Sequence, residues 1–174
     1  MRPRSQRGIS LLELLIVVAI ILVLSAIATI NLMSARRAAR EAAATSAVRN
    51  VTTAQMAYAY AWGGFADELR KLGPPARGAA SADAADLLDA SIACPTGPCR
   101  RQGYELRISG ASGLPVTRYF ITAGPVQNQE ARSFCSSESA VLYSVQAPDP
   151  MDCIAEMLHQ TGQCVGSDPR CGSQ

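Results

Sequence analysis

The side chains of this sequence that could do chemistry are six cysteines, one histidine and a single carboxylate set inside an apolar run. Cys94, Cys99, Cys135, Cys153, Cys164 and Cys171 all lie in the second half of the chain, and an even count there points to disulfides formed in an oxidising compartment. Zinc fits less well, because His159 is the only histidine and no two cysteines are spaced C-x-x-C. Six cysteines leave the pairing open. The stretch Cys94-Pro-Thr-Gly-Pro-Cys99 is turn-prone enough for its two cysteines to pair locally, and they are the expected pair, with a bond from either to a distant cysteine left open. Catalysis would need a positioned base or nucleophile, and His159 has no Ser or Cys partner that spacing identifies. Neither a phosphate loop nor a metalloprotease signature is present, so the expectation is a non-enzymatic protein without a cofactor. Glu13 is the unusual residue. A charged carboxylate costs about 2.5 to 3.5 kcal/mol at a bilayer centre and less toward its edge.

The element that carries Glu13 begins close to the N-terminus. Over residues 9–33 the polar residues are only Ser10, Glu13, Ser25, Thr29 and Asn31, and a helix of that length can span a hydrocarbon core of about 30 Å. Arg2, Arg4 and Arg7 precede it and would hold the N-terminus in the cytoplasm, leaving the rest of the chain outside. Removing those three from the 16 basic residues leaves 13 against 14 acidic ones, a balance with no electrostatic footprint for nucleic acid. A secretory signal peptide is a competing reading, since Ala26-Ile27-Ala28 fits a small-x-small cleavage pattern; it would release a soluble enzyme or binding domain after Ala28. A plain anchor is another. Neither has a use for Glu13. Helical character also continues past Met33, with Ala35, Ala38, Ala39, Ala42, Ala43, Ala47, Val48, Val51 and Ala54 at three- and four-residue spacing and no Gly or Pro over residues 9–62. One helix of about 50 residues, some 80 Å, is expected, with its second half packed on a single head domain.

Residues 8–21, GISLLELLIVVAII, closely resemble the N-terminal signal of type IV prepilins and type II secretion pseudopilins: a short basic leader ending in Gly, an apolar stretch, and a Glu shortly after the cut. The resemblance implies that a prepilin peptidase cuts between Gly8 and Ile9 and methylates the new amino terminus on Ile9. It makes Glu13 the assembly carboxylate, which a neighbour's Ile9 amine can pair. It further implies a pool of subunits in the inner membrane, extraction by an assembly ATPase and platform, and a homo-oligomeric or mixed filament that is extracellular or periplasmic. The sequence departs from many major pilins in having Ile9 where Phe is usual, and Leu22 and Ile30 where Gly and Pro let the helix melt on assembly. A type IV pilin is the first reading and a pseudopilin of a type II secretion or DNA-uptake system the second.

The head reads as α+β. Trp62-Gly63-Gly64 ends the long helix; Phe65, Leu69 and Leu72 suggest a short connecting helix; and Ser81 is a candidate cap for another with Ala84, Leu87, Leu88 and Ile92 on its apolar side. The period then changes to two, with Tyr104, Leu106 and Ile108, then Tyr119, Ile121 and Ala123. Residues 132–135 and 140–145 give two more strand candidates around the turn Ser136-Ser137-Glu138-Ser139, so four antiparallel strands are expected against the long helix. The motif order resembles a group of bacterial pilin-like proteins in which a Gly follows that acidic turn; here the position is Ala140. The tail, 146–174, holds three cysteines and a helical turn at 151–159, and its apolar content suggests that disulfides secure it. The expected organisation is leader 1–8, membrane or filament-core helix 9–33, amphipathic helix 34–62, head 63–145 and tail 146–174. Tyr58, Tyr60, Trp62 and Phe65 are expected to pack in the core, and Arg100-Arg101 to form a solvated pair.

Overall fold

A computed structural model describes residues 10–95, 98–127 and 131–162, without the side chains of 27–31. The chain divides into two compact units, Met1–Ala38 and Ala39–Gln174. One helix, α1, runs unbroken over Leu11–Trp62, as a stretch free of Gly and Pro and rich in Ala should. In the first unit its large apolar side chains, from Leu11 to Leu24, are exposed. Among the described residues no helix is long and apolar enough to cross a membrane. The span read from the sequence continues across residues 27–31, whose side chains lie outside those described.

In the second unit α1 is amphipathic. Ala44, Ala47, Val48, Val51, Ala54 and Tyr58 recur at helical spacing and are buried with the sheet residues Leu106, Ile121, Ala123 and Phe134. Thr52 lies within this buried stretch, and its hydroxyl donates to the Val48 carbonyl at 2.9 Å, so the polar group is satisfied inside its own helix. Gly63, at φ +76°, turns the chain out of the helix. In place of the connecting helix the chain makes a single 3₁₀ turn, Leu69–Leu72. The segment after it is irregular, with Asp86 at φ +55°, and is tied to the 3₁₀ turn: the backbone N–H groups of Ala85, Asp86 and Leu87 donate to the carbonyls of Lys71, Gly73 and Leu72. Ser81 therefore caps nothing. It forms an isolated bridge with Ala84, and the helix that does form is the short α2, Ala90–Ala93, capped by Asp89.

The sheet is an antiparallel meander of five strands in sequence order: β1 (Cys99–Arg101), β2 (Tyr104–Ser112), β3 (Arg118–Pro125), β4 (Ser133–Ser137) and β5 (Tyr143–Val145). The strand that the residue pattern did not reveal is β1. It pairs with β2 through a two-residue turn at Gln102 and Gly103, both at positive φ, whose twist matches the strands. Helix α3, Pro150–Gln160, is capped by Asp149, starts with Pro and covers the face of the sheet away from α1. Phe120, Cys135, Cys153, Ile154, Met157 and Leu158 form a second buried cluster there. The start of the tail is thus packed as well as bonded. Because both faces of the sheet centre are covered, β4 is buried at every residue rather than at alternate ones.

Candidate functional site

The first turn of α1 holds Glu13, where the unsatisfied N–H groups of a helix start favour an anion. Around it the side chains are apolar on every side, including Leu11, Leu12, Leu14 and Leu15, all at least 60% exposed. A helix that is apolar all round is normally covered. At about 1.5 to 3 kcal/mol for fully burying one such side chain, covering the run to Leu24 is worth more than about 10 kcal/mol. The one polar group described near the end of the run is also concealed: the Ser25 hydroxyl donates to the Ile21 carbonyl at 2.7 Å. What this arrangement can do is associate, with a bilayer or with other helices. The expected cleavage and methylation positions, Gly8 and Ile9, lie outside the described residues.

The second unit carries the described cysteines, all of them in disulfides. Cys94 and Cys99 are joined with Cα atoms 5.4 Å apart, closing the loop between α2 and β1. Cys135 and Cys153, 5.9 Å apart, fasten α3 to β4. Nothing local in the sequence marks the second pair, because it depends on α3 lying across the sheet. Cys164 and Cys171 lie outside the described residues.

Two polar arrangements brace this unit. Gln55 is fully buried on α1; its amide nitrogen donates to the Ala66 carbonyl at 2.7 Å and its amide oxygen accepts from the Ala66 N–H at 2.8 Å. Sequence reasoning missed it, since a Gln in an Ala-rich helix has no spacing signal. On the sheet, Glu105 pairs with Arg107 and, at 3.0 Å, with Arg100; these contacts, that with Arg107 first, hold its carboxyl below the usual range. The pair Arg100-Arg101 is therefore engaged rather than merely solvated, since Arg101 also donates to the Ser91 hydroxyl at 2.7 Å. Asp67 is lowered mainly by its hydrogen bond with Lys71, and that bond raises Lys71 in turn. A cleft of about 370 Å³ lies beside these groups, lined by Leu106 and Ile108 together with Asp67, Glu68, Arg70 and Arg107. His159 lies in the last turn of α3, and among the described residues no group of three or more His, Cys, Asp or Glu is placed to hold a metal ion.

The aromatic residues divide. Tyr58 packs against Trp62 and Phe65 against Tyr119 with tilted rings, each pair with ring centroids 4.7 Å apart, but Tyr60 is 96% exposed and takes no part in the core. Burial, with the Glu138 charge a lesser cause, pushes the Tyr119 hydroxyl well above its ordinary range.

No curated protein and no solved structure matches the chain. A family model, the prokaryotic N-terminal methylation motif, matches residues 3–29, which hold Arg4 and Arg7 of the leader, Gly8, Glu13 and most of the apolar run. The chain thus carries the N-terminal methylation signal of type IV pilins and pseudopilins.

Proposed function

We propose that this protein is a non-enzymatic structural subunit of a type IV pilus or pilus-like filament. Prepilin peptidase removes residues 1–8 and methylates Ile9; the apolar part of α1 first resides in the inner membrane and then forms the core of an extracellular or periplasmic filament. An assembly ATPase and membrane platform drive that transfer. The observation that carries the reading is the exposed, all-round apolar helix interrupted only by Glu13, lying within the matched methylation motif. In a water-poor helix bundle an unpaired carboxylate stays costly, and the Ile9 amine of a neighbour can neutralise it. That pairing also sets the axial step, because a helix displaced along its axis separates amine from carboxylate. A pseudopilin of a type II secretion or DNA-uptake system is the second reading, favoured by the continuity of α1 through Leu22 and Ile30.

Intact-mass measurement and assembly of a Glu13→Val variant test the proposal together. The mature chain is expected to begin at N-methylated Ile9. A chain starting at Thr29 would make it an ordinary secreted protein, and an uncut chain a plain anchor. The Glu13→Val subunit is expected to be processed and membrane-resident yet poorly recovered in sheared filaments; wild-type filament yield, in cells with no other copy, overturns the assembly role.

A further inference from the structure

The two described disulfides of the second unit differ in what can reach them. Cys135 and Cys153 are both 0% exposed, inside the buried cluster between α3 and the sheet. Cys99 is buried as well, but its partner Cys94 is only partly buried, and both line the cleft beside Leu106 and Ile108. Pro95 and Pro98, both exposed, line it too. The charged residues of the cleft are two acidic and two basic, and each is paired: Asp67 with Lys71, Glu68 with Arg70, and Arg107 with Glu105. With neither sign in excess, an incoming thiolate meets no net repulsion there.

The backbone at Cys94 favours opening of its bond. Cys94 is the C-cap of α2 at φ +41°, in the left-handed region, where a residue with a Cβ is strained. Two constraints hold it there: the bond to Cys99, and its own N–H, which donates to the Ala90 carbonyl at 3.1 Å. Breaking the first lets the residue relax, which favours the dithiol by up to about tenfold. The two thiols would also find acceptors in place. The Ser91 carbonyl lies 3.8 Å from Cys94 Sγ and the Ile92 carbonyl faces Cys99 Sγ, and both belong to the end of α2, where carbonyls have no partner within the helix. Disulfides that are exposed or strained are the ones that exchange readily.

We propose that Cys94–Cys99 is a thiol-exchange site, reduced by the dithiol of a Cys-x-x-Cys protein that attacks Cys94, while Cys135–Cys153 stays as the permanent bond. The partner's thiolate bonds to Cys94 Sγ; the bond to Cys99 breaks, and its electron pair leaves on Cys99 Sγ, which takes up a proton. The partner's second sulfur, as thiolate, then displaces Cys94, which is protonated in turn. The partner ends as a disulfide, and two electrons and two protons have passed to the cysteine pair. Reduction stays local, because β1 remains paired with β2 from Arg101 to Cys99 and α3 keeps its own bond to β4. The site belongs to the head alone and holds whether or not the chain enters a filament.

Reduction of the purified, oxidised full chain in mild detergent tests it, with no substitution needed. Graded dithiothreitol is added without denaturant, thiols are trapped with an isotopically labelled maleimide, and each cysteine is read by peptide mass spectrometry, with Cys164 and Cys171 scored apart. Cys94 and Cys99 are expected to be labelled together, at least about tenfold faster than Cys135 and Cys153, which react only from a locally opened state. Equal rates for the two pairs overturn the proposal. A thioredoxin-type protein with Cys-x-x-Ser in place of its Cys-x-x-Cys cannot complete the exchange, and it is expected to be captured as a mixed disulfide on Cys94. Capture on Cys99, or no capture while dithiothreitol reduces the bond, overturns it too. The chain reduced at this bond is expected to keep its far-UV spectrum and the protease resistance of α3; loss of either would show that the bond is structural and not exchangeable.

Discussion

Gln55 and Ala140 show how single side chains decide the stability of the second unit. The two hydrogen bonds from the Gln55 amide satisfy both backbone groups of Ala66, a residue only 1% exposed, so the segment after α1 is tied to the helix it has just left. Replacing Gln55 with Leu keeps the bulk and strands a buried N–H and a buried carbonyl. We expect a loss of about 2 kcal/mol or more, read as a lower urea midpoint with unchanged slope. Ala140 has the opposite character. Its φ of +59° lies in the left-handed region, at the end of a turn closed by its N–H donating to the Ser137 carbonyl at 2.9 Å. This is the place where the pilin-like pattern that the head resembles has Gly, and the backbone favours one there: a Cβ costs about 1 kcal/mol or somewhat more. Ala140→Gly is therefore expected to raise stability by up to about 1 kcal/mol, even though Gly elsewhere loosens the unfolded chain.

At the scale of elements, the disulfides do unequal work. The Cys94–Cys99 bond spans 5 residues and the Cys135–Cys153 bond 18, so loop-closure entropy assigns about 2 kcal/mol to the first and about 3 to the second. The second also sits in the buried cluster between α3 and the sheet, where losing it disturbs packing. The double variant Cys135→Ala, Cys153→Ala is expected to lower the unfolding midpoint more than Cys94→Ala, Cys99→Ala. It should also expose α3 to limited proteolysis, which the other variant should not. Equal effects would show that α3 is held by its Ile154, Met157 and Leu158 contacts alone.

For the molecule as a whole, acid is the condition that should loosen the head. Glu105 and Asp67 both have carboxyls held low, the first by Arg107 and Arg100 and the second by Lys71. A carboxylate whose folded value is depressed adds stability that is present above its unfolded value, about 4, and is lost as pH falls through the folded one. Stability is accordingly expected to be flat from about pH 6 to 8 and to fall below about pH 4, the order of the unfolded carboxyl values. Lys71 is raised, so its share is present below its unfolded value and declines only above about pH 10. Because the arginines are largely exposed, screening keeps the Glu105 contribution to about 1 kcal/mol or less. Denaturant midpoints of wild type and Glu105→Gln across this range check the sign: the variant should lose part of the acid dependence, and added salt should shrink the difference.

What the sequence determined by itself is local in the chain. The methylation signal is a contiguous run; α1 follows from an unbroken absence of Gly and Pro; and the cores of β2 and β3 follow from alternation that can be counted along the chain. The local disulfide belongs with these, since four residues of turn-prone chain already bring Cys94 near Cys99. The tertiary structure decided the rest. β1 exists because β2 is beside it, residues 85–87 stay out of a helix because Leu72 and its neighbours accept their N–H groups, and Gln55 is buried because Ala66 folds back to meet it. Cys135 finds Cys153 only once α3 lies on the sheet, and Tyr60 leaves the aromatic group because its position on α1 faces away from the core. Each of these depends on a partner brought near by folding, and residue type and spacing along one segment contain no record of that partner.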